Sequence, residues 1–415
     1  AVFLDEYAKR IESNLETLAE TAHLETGLPI RPRLADVEIP RTINQLRQAA
    51  AAARSGDWSR PTIDTAANIR SVHGPLGGPV VVFGPNNFPF AYNGIAGGDF
   101  AAAIAAGNPV IAKAHPAHPY TTQLLGELAL AAVKASGLPA ATVQLVYNMD
   151  PELGLKLVSH PKVAAVAFTG SRPGGLALKE AADKAGKPVY LEMSSVNPVF
   201  VLPGSLQERG DEIAAELHGS CTLGAGQFCT KPGIIVVQKG ELADSFIDRL
   251  KSSFASTAPG VLLTAGGVTS VTKTVEKLIN AGATVLAGGE APETDHYAFE
   301  PTLLSVKGDR FLNAPHRLQS EAFGAVGLVV VADDLEQMKS IAEALEGNLT
   351  GSIYSDTKGS EEVAYQELAK ILRFKVGRLL NDKVPTGVAV SSAMNHGGPY
   401  PSTGHPGFTA VGFPA

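Results

Sequence analysis

A cysteine inside a glycine-rich loop is the first residue of this chain that could carry covalent chemistry. Cys229 lies in the segment LGAGQFCTKPG, close to Gly224, Gly226 and Gly233. Glycine lets the backbone bend sharply and approach a ligand, and a thiol on such a loop near a helix end can ionise and act as a nucleophile. The alternative is a small buried residue, which we expect of Cys221, eight residues earlier in a predicted helix.

Two further polar side chains follow predicted strands, where an α/β protein gathers its ligand-binding groups. Glu192 ends the segment VYLE and could act as a general base in the ligand crevice. Asn87, in GPNNFPF, could donate its side-chain amide to a developing oxyanion. Each residue also has a simpler interpretation, a solvated charge at a strand end for Glu192 and a turn asparagine for Asn87.

A glycine turn after the predicted strand VAAVAF could hold a phosphate group. The segment FTGSRPGG places Gly170, Ser171 and Gly175 at the start of a predicted helix. Free N–H groups at a helix start can bind a pyrophosphate. Because the segment departs from the standard GxGxxG fingerprint, it indicates a dinucleotide only weakly by itself.

The strand PVIAK and the loop after it carry a lysine and two histidines. Lys113 ends this strand, and a cation there lies at the same sheet edge as the other candidates. His115 and His118 resemble an HxxH metal pair, but proline flanks both and no carboxylate is near them in sequence. We therefore predict no metal site.

The elements that must position these residues alternate between strand and helix. Short apolar runs end in Gly/Pro loops that carry the candidate residues, and helical patterns follow, which is typical of parallel βαβ units. The alternation predicts an α/β fold with doubly wound parallel sheets. The resemblance to a known family that is described below implies two such domains, a Rossmann-like cofactor domain and a catalytic domain, plus a small oligomerisation arm. The predicted parts are a cofactor-binding domain over 1–197 that includes the arm at about 55–78, a catalytic domain over 198–384, and a C-terminal tail over 385–415, partly for oligomerisation.

Composition narrows the class of protein. With 415 residues, of which 45% are hydrophobic and 18% charged, the chain can bury a core in each of two or three domains. The net charge of −7 argues against a nucleic-acid partner, and no apolar run is long enough to span a membrane. Two cysteines suit a reducing compartment, so we expect a soluble, cytoplasmic protein. We also expect that residues are missing at the termini.

The order of these motifs along the chain resembles the aldehyde dehydrogenase superfamily. The matching features are NFP after a strand, a lysine at the next strand end, FTGS before a helix, and a glutamate before a small-residue turn. GQxC follows 37 residues after that glutamate. Further on, SEAFGA is similar to the E-x-F-G-P stretch of the family, with Ala325 in place of the usual proline. The resemblance covers essentially the whole chain.

The resemblance implies roles for three catalytic residues. Cys229 would attack the aldehyde carbon and Asn87 would stabilise the oxyanion together with the backbone N–H of Cys229. Collapse of that oxyanion would expel hydride to a nicotinamide ring and leave a thioester. Glu192 would then activate the water that hydrolyses the thioester.

The resemblance also implies a cofactor site. Lys113 would contact the adenosine ribose, Gly170 and Ser171 would lie near the pyrophosphate, Glu321 would hold the nicotinamide ribose, and Phe323 would pack near that ring. The family's usual K-P-S-E is here KAHP, without the glutamate that repels a 2′-phosphate. We therefore predict that NADP is accepted, with NAD as the alternative.

Other departures from the family pattern favour one branch. The usual E-L-G-G turn is here Glu192-Met193-Ser194-Ser195, and with NNFPF, KAHPAHP and NHGGPYPST it is similar to the 2-oxoglutarate semialdehyde dehydrogenase branch. The branch implies 2,5-dioxopentanoate as substrate, with a fatty or other aliphatic aldehyde as the alternative. A carboxylate-bearing substrate needs a cation, for which Arg172 and Arg378 are candidates.

Two alternatives of other kinds remain open at this stage. One is a non-catalytic member of the fold, since a fold does not entail an activity; the other is acyl transfer to coenzyme A, against which Glu192 argues. The family forms dimers or tetramers through its arm and tail, so we expect a homodimer or homotetramer with a small-molecule aldehyde as its partner.

Overall fold

Helices with one apolar face form the N-terminal part of the chain. The computed structural model describes residues 1–405. Within them, α1 (Val2–Ser13) buries Leu4, Tyr7 and Ile11 at helical spacing. The Tyr7 hydroxyl donates to the carbonyls of Ile95 (3.2 Å) and Leu125 (3.1 Å). The next helices are α2 (Leu15–Thr26) and α3 (Ile39–Ser55), with an irregular helical segment, Ile30–Glu38, between them.

The segment predicted as an arm forms a short antiparallel ribbon. Strands β1 (Thr62–Asp64) and β2 (Ile69–Ser71) pair with each other, and every residue in them is exposed. The side chains of Ile63, Ile69 and Val72 are therefore apolar groups in contact with solvent.

A five-stranded parallel sheet follows, with helices between its strands. Its order is β5-β4-β3-β6-β7, so the direction of winding reverses beside β3, and such a switch point is where doubly wound sheets bind ligands. The strands are β3 (Val80–Phe83), β4 (Val110–Lys113), β5 (Val143–Val146), β6 (Ala165–Thr169) and β7 (Val189–Glu192); the helices are α4 (Gly98–Ala105), α5 (Pro119–Ala135), α6 (Pro151–Ser159) and α7 (Arg172–Lys184).

The second sheet has seven strands in the order β10-β11-β12-β9-β8-β13-β14, and only the β10–β11 pair is antiparallel. Its central strands are continuous apolar runs, as expected of a sheet covered on both faces. The strands are β8 (Val199–Val201), β9 (Ile234–Gln238), β10 (Thr284–Ala287), β11 (Thr302–Lys307), β12 (Val326–Ala332), β13 (Asn348–Tyr354) and β14 (Val376–Asn381). The helices are α8 (Pro203–Thr222), α9 (Glu241–Ser256), α10 (Ala265–Asn280), α11 (Gly308–Asn313), α12 (Pro315–Leu318), α13 (Leu335–Ala344) and α14 (Glu362–Leu372).

The described chain divides into two units, each with one of these sheets. The first unit contains Ala1–Met193 and Val388–Asn395, and the second contains Ser194–Gly387 and the tail from His396 to residue 405. The predicted α/β class with two doubly wound sheets is confirmed. The predicted tail, 385–415, runs in part over residues outside those described. Among residues 1–405, no helix combines the length and apolar character needed to cross a membrane.

Candidate active site

The loop that carries Cys229 is bent by consecutive residues in the left-handed region. After α8 a short 3-10 turn, Leu223–Gly226, has φ values of 57° at Gly224, 55° at Ala225 and 72° at Gly226. A Cβ atom on Gly226 would lie 2.2 Å from the carbonyl carbon of Gly324, so any other residue would push these two backbone segments apart. The cysteine loop is therefore packed directly on the SEAFGA segment.

A buried asparagine fixes the backbone at the nucleophile and two residues after it. The Asn197 amide donates to the carbonyls of Cys229 (2.8 Å) and Lys231 (2.9 Å). Its own oxygen accepts from Ser195 Oγ at 2.8 Å, and Asn348 Oδ1 in turn accepts from the backbone N–H of Asn197 at 3.2 Å. Because each of these polar groups has a partner in the core, the network holds the cysteine loop in one position.

A histidine from the C-terminal tail lies beside the thiol. The Sγ atom of Cys229 is 3.4 Å from Nε2 of His396, and the histidine is buried while the cysteine is partly exposed. Tight glycine packing brings the tail here: a Cβ on Gly398 would lie 2.2 Å from the Asn348 carbonyl oxygen, and one on Gly377 would lie 1.8 Å from the carbonyl oxygen of Gly397. No sequence pattern marks His396 as a functional residue, although the segment NHGG contains it.

The other cysteine has a different environment. Cys221 is fully buried, and its Sγ lies 3.2 Å from the Pro232 carbonyl oxygen, to which the thiol donates. Burial raises the pKa of the Cys221 thiol to about 11, so this sulfur stays protonated and unreactive near neutral pH. Cys221 is thus a core residue, as expected from its place in a helix.

The second unit also holds the residues predicted to face the nicotinamide ribose. Glu321 and Phe323 lie in the connection between α12 and β12, and Glu321 lines a small pocket together with Lys231. Lys231 donates through Nζ to the Val326 carbonyl at 2.6 Å. Burial lowers the pKa of the Lys231 ammonium, and the charge of Glu321 opposes that shift. No pattern in the sequence around Lys231 predicts that this lysine is buried.

In the first unit, a buried ion pair supports the loop of Asn87. Glu38 is fully buried, accepts from the backbone N–H groups of Phe90 (2.8 Å) and Ala91 (3.0 Å), and pairs with Arg33. Arg33 donates to the Asn87 carbonyl at 2.9 Å. The charges satisfy each other and the loop backbone at once, which is the condition for burying an ion pair.

The glycine turn after β6, which is predicted to lie near a pyrophosphate, leads directly into α7. Ser171 caps α7 by accepting from the Gly174 N–H at 3.4 Å, and the Gly175 N–H donates to the Ser171 carbonyl at 3.0 Å. A Cβ on Gly175 would lie 2.7 Å from the Met193 sulfur, so a larger residue here would displace the Met193 side chain. The partial positive charge at a helix start favours an anion, and the pyrophosphate role of Gly170, Ser171 and Gly175 stays a prediction.

Glu192 ends β7 at the same edge of the first sheet. Its side chain is 1% exposed, and its backbone carbonyl accepts from the Gly170 N–H at 3.0 Å, which links the glutamate to the glycine turn. Burial, and then the charge of Glu192, raise the pKa of Asp99 in the first turn of α4 to about 7. This second carboxyl group was not predicted, because only the fold brings it under the influence of Glu192.

Lys113 ends β4 as predicted, and the loop after it holds the two histidines as neutral groups. His115 accepts at Nδ1 from the Ala117 N–H (3.1 Å), so its proton is on Nε2. Burial lowers the pKa of His115 most, and electrostatic repulsion from His118 and Lys113 lowers it further, to about 3. The His118 ring lies between the Pro85 carbonyl and Thr122. Neither ring adds positive charge at neutral pH.

Comparison with known proteins agrees with this arrangement. The aldehyde dehydrogenase family model matches residues 1–394, and the chain therefore belongs to the aldehyde dehydrogenase family. It is 42% identical to the alpha-ketoglutaric semialdehyde dehydrogenase 2 of Azospirillum brasilense and 39% identical to the alpha-ketoglutaric semialdehyde dehydrogenase of Acinetobacter baylyi. Both alignments cover 99% of this chain and 79% of the relative.

A solved structure confirms the fold. The lactaldehyde dehydrogenase of Escherichia coli superposes with a TM-score of 0.80 and 26% identity, over 95% of this chain and 80% of that one. The predicted family and the predicted fold class are thus confirmed. The individual roles of the site residues remain predictions.

Proposed function

We propose that this enzyme oxidises 2-oxoglutarate semialdehyde (2,5-dioxopentanoate) to 2-oxoglutarate with an NAD(P) cofactor. One observation carries the proposed chemistry. The Sγ atom of Cys229, which follows the glycine-rich turn, lies 3.4 Å from Nε2 of His396. The substrate assignment rests on the similarity to two alpha-ketoglutaric semialdehyde dehydrogenases over nearly the whole chain.

The first half of the reaction forms a thioester on Cys229. His396 takes the thiol proton at Nε2, and the thiolate adds to the aldehyde carbon, so that a C–S bond forms and the carbonyl π electrons move to oxygen. The amide of Asn87 donates to that oxyanion. When the oxyanion re-forms the carbonyl, the C–H bond breaks with its electron pair. A bound nicotinamide ring supplies the acceptor for this hydride.

The second half releases the acid. Glu192 removes a proton from a water molecule, the hydroxide adds to the thioester carbon, and the C–S bond breaks to give the carboxylic acid and the Cys229 thiolate. A nearly fully buried carboxylate suits this task because few water molecules compete for it.

The cofactor would be held by groups at the edge of the first sheet. The start of α7, with Gly170, Ser171 and Gly175, would receive the pyrophosphate, and Lys113 would contact the adenosine ribose. Glu321 would hold the nicotinamide ribose, and Phe323 would pack near the nicotinamide ring. Pro116 stands where the family has a carboxylate, so a 2′-phosphate meets no repulsion there. We propose that NADP is used, and that NAD is accepted.

We also propose that the protein is a cytoplasmic homo-oligomer. Neither cysteine forms a disulfide, as expected in a reducing compartment. The exposed apolar side chains Ile63, Ile69 and Val72 of the arm suit a contact with a second copy of the chain. Light scattering on the purified protein tests this proposal, and a monomer at micromolar concentration contradicts it.

Steady-state reduction of NADP and NAD tests the proposed function. The substrates are 2,5-dioxopentanoate, glutarate semialdehyde and a long-chain aldehyde, assayed in parallel. We expect 2,5-dioxopentanoate to have a kcat/KM at least about tenfold above the others, which corresponds to about 1.4 kcal/mol of transition-state preference. A higher value for the long-chain aldehyde would replace the substrate assignment, and no reduction with any aldehyde would overturn the function.

A further inference from the structure

Arg41 is a partly buried cation that lacks a counter-ion in the described part of the chain. It lies in the first turn of α3, and its guanidinium donates to the Val388 carbonyl (3.0 Å) and to the Tyr92 hydroxyl (3.3 Å). Its Nε–H is buried and has no hydrogen-bond partner among residues 1–405, and no carboxylate there forms an ion pair with it. A partly buried charge with an unused donor has a cost that a bound anion would offset.

The neighbouring Arg33, unlike Arg41, has a counter-ion. Arg33 pairs with the fully buried Glu38, which is the carboxylate nearest to Arg41 in sequence. Glu38 also accepts from Phe90 and Ala91, so its oxygens are already engaged. The ion pair therefore balances one of the two arginines and leaves the charge of the other uncompensated.

Arg41 also lies against the loop that carries the oxyanion donor. Its Cζ atom is 5.5 Å from the centre of the Tyr92 ring and 5.9 Å from that of Phe88, which directly follows Asn87 in the chain. Aromatic faces stabilise a cation without neutralising it. The guanidinium is thus held against the loop that follows β3, and no carboxylate among residues 1–405 forms an ion pair with it.

We propose that Arg41 and the Tyr92 hydroxyl form the subsite for the carboxylate of the substrate, remote from its aldehyde group. A planar guanidinium is the side chain best suited to a carboxylate. The inference rests on the proposed function, and it differs from the candidates that the sequence suggested. Of those, Arg172 begins the helix at the phosphate turn, and Arg378 donates to the carbonyls of Pro385 and Gly387.

The variant Arg41→Met, compared on two aldehydes of equal length, tests the subsite. The substrates are 2,5-dioxopentanoate and pentanal, which has five carbons and no carboxylate. We expect kcat/KM for 2,5-dioxopentanoate to fall about 100-fold, as for the loss of a charge-assisted hydrogen bond in a desolvated site, while kcat/KM for pentanal changes less than about threefold. Arg41→Lys should recover part of the loss. Arg47→Met, on the same helix but exposed and paired with Glu12, is the matched control.

Three outcomes would overturn the inference. The first is an equal loss on both aldehydes, which would make Arg41 a structural support for the loop of Asn87. The second is no loss on either, and the third is a similar loss in Arg47→Met. Failure of the proposed function itself is recognised separately, because the unmutated enzyme would then show no preference for 2,5-dioxopentanoate over pentanal. The alkylation rate of Cys229 reports whether each variant keeps an intact nucleophile.

Discussion

The Sγ atom of Cys229 lies 3.4 Å from Nε2 of His396, although 167 positions separate the two residues. The tail that carries His396 is held on the second sheet by glycines that allow backbone contact at Gly377 and Gly398. The imidazole is therefore positioned by packing, and it can accept the thiol proton in the first step of the reaction.

Replacing His396 should slow the reaction of Cys229 with an alkylating reagent. We expect His396→Asn to react with iodoacetamide about tenfold more slowly at pH 7, because the thiolate loses its proton acceptor. The exposed His316, replaced in the same way, is the control. Equal rates in His396→Asn and the unmutated protein would mean that the histidine does not activate the thiol.

Asn197→Ala should lower the free energy of unfolding. The substitution leaves buried carbonyls of Cys229 and Lys231 without a donor, and each such group costs about 1–3 kcal/mol. Asn68→Ala is a matched control because Asn68 also has a positive φ, 53° against 45°, but lies in an exposed turn. Denaturant titration compares the two variants. A similar loss in both would assign the effect to backbone strain, contrary to the proposed network.

Asp99→Asn should stabilise the protein more as the pH rises. The pKa of Asp99 is about 7 in the folded chain against 3.8 for an ordinary aspartate. Between these values the folded protein holds a proton that the unfolded chain has released, so the free energy of unfolding falls as the pH rises through this window. The asparagine removes that loss. We therefore expect the stabilisation to be small at pH 4 and largest at pH 8.

The influence of Glu192 on Asp99 can be separated from burial by a second substitution. In a Glu192→Gln background the charge that helps to raise the pKa of Asp99 is gone, and the pH-dependent gain of Asp99→Asn should be smaller. If the gain is the same at pH 4 and pH 8 in both backgrounds, Asp99 does not titrate in this range.

Introducing a carboxylate at position 116 should shift the enzyme from NADP toward NAD. In Pro116→Glu the new charge would repel a 2′-phosphate, and we expect kcat/KM for NADP to fall at least about tenfold while that for NAD is unchanged or higher. Pro116→Gln, which alters the backbone in the same way without the charge, is the control. Parallel losses with both cofactors, or in both variants, would place the adenosine ribose elsewhere.

The features that could be predicted best from the sequence are those that one short segment determines by itself. The glycines around Cys229, the Gly175 position and the apolar runs of the strands follow from rules about backbone bending and burial that act over a few residues. The alternation of strand and helix then predicted the two sheets. The order of the motifs indicated the family, which no single motif could do.

Contacts between residues that are far apart along the chain could not be predicted from the sequence. His396 contacts Cys229 only because the folded tail brings it there. The charge of Glu192 raises the pKa of Asp99 only in the folded chain. The Val388 carbonyl that Arg41 binds is 347 positions away in sequence. Nothing in the residue types near these positions distinguishes them from ordinary surface or core residues. The cation candidates chosen from sequence, Arg172 and Arg378, illustrate the same limit.

The most direct test of the central claim is to trap the acyl group on the enzyme. In Glu192→Gln, mixed with NADP and 2,5-dioxopentanoate and quenched within seconds, hydrolysis should be slow and the thioester should accumulate. We predict about one equivalent of reduced cofactor per chain in a single burst, with fragment masses that assign the acyl group to Cys229. Reduction of the cofactor without an acyl group on the protein, or with the acyl group on Cys221, would contradict the account.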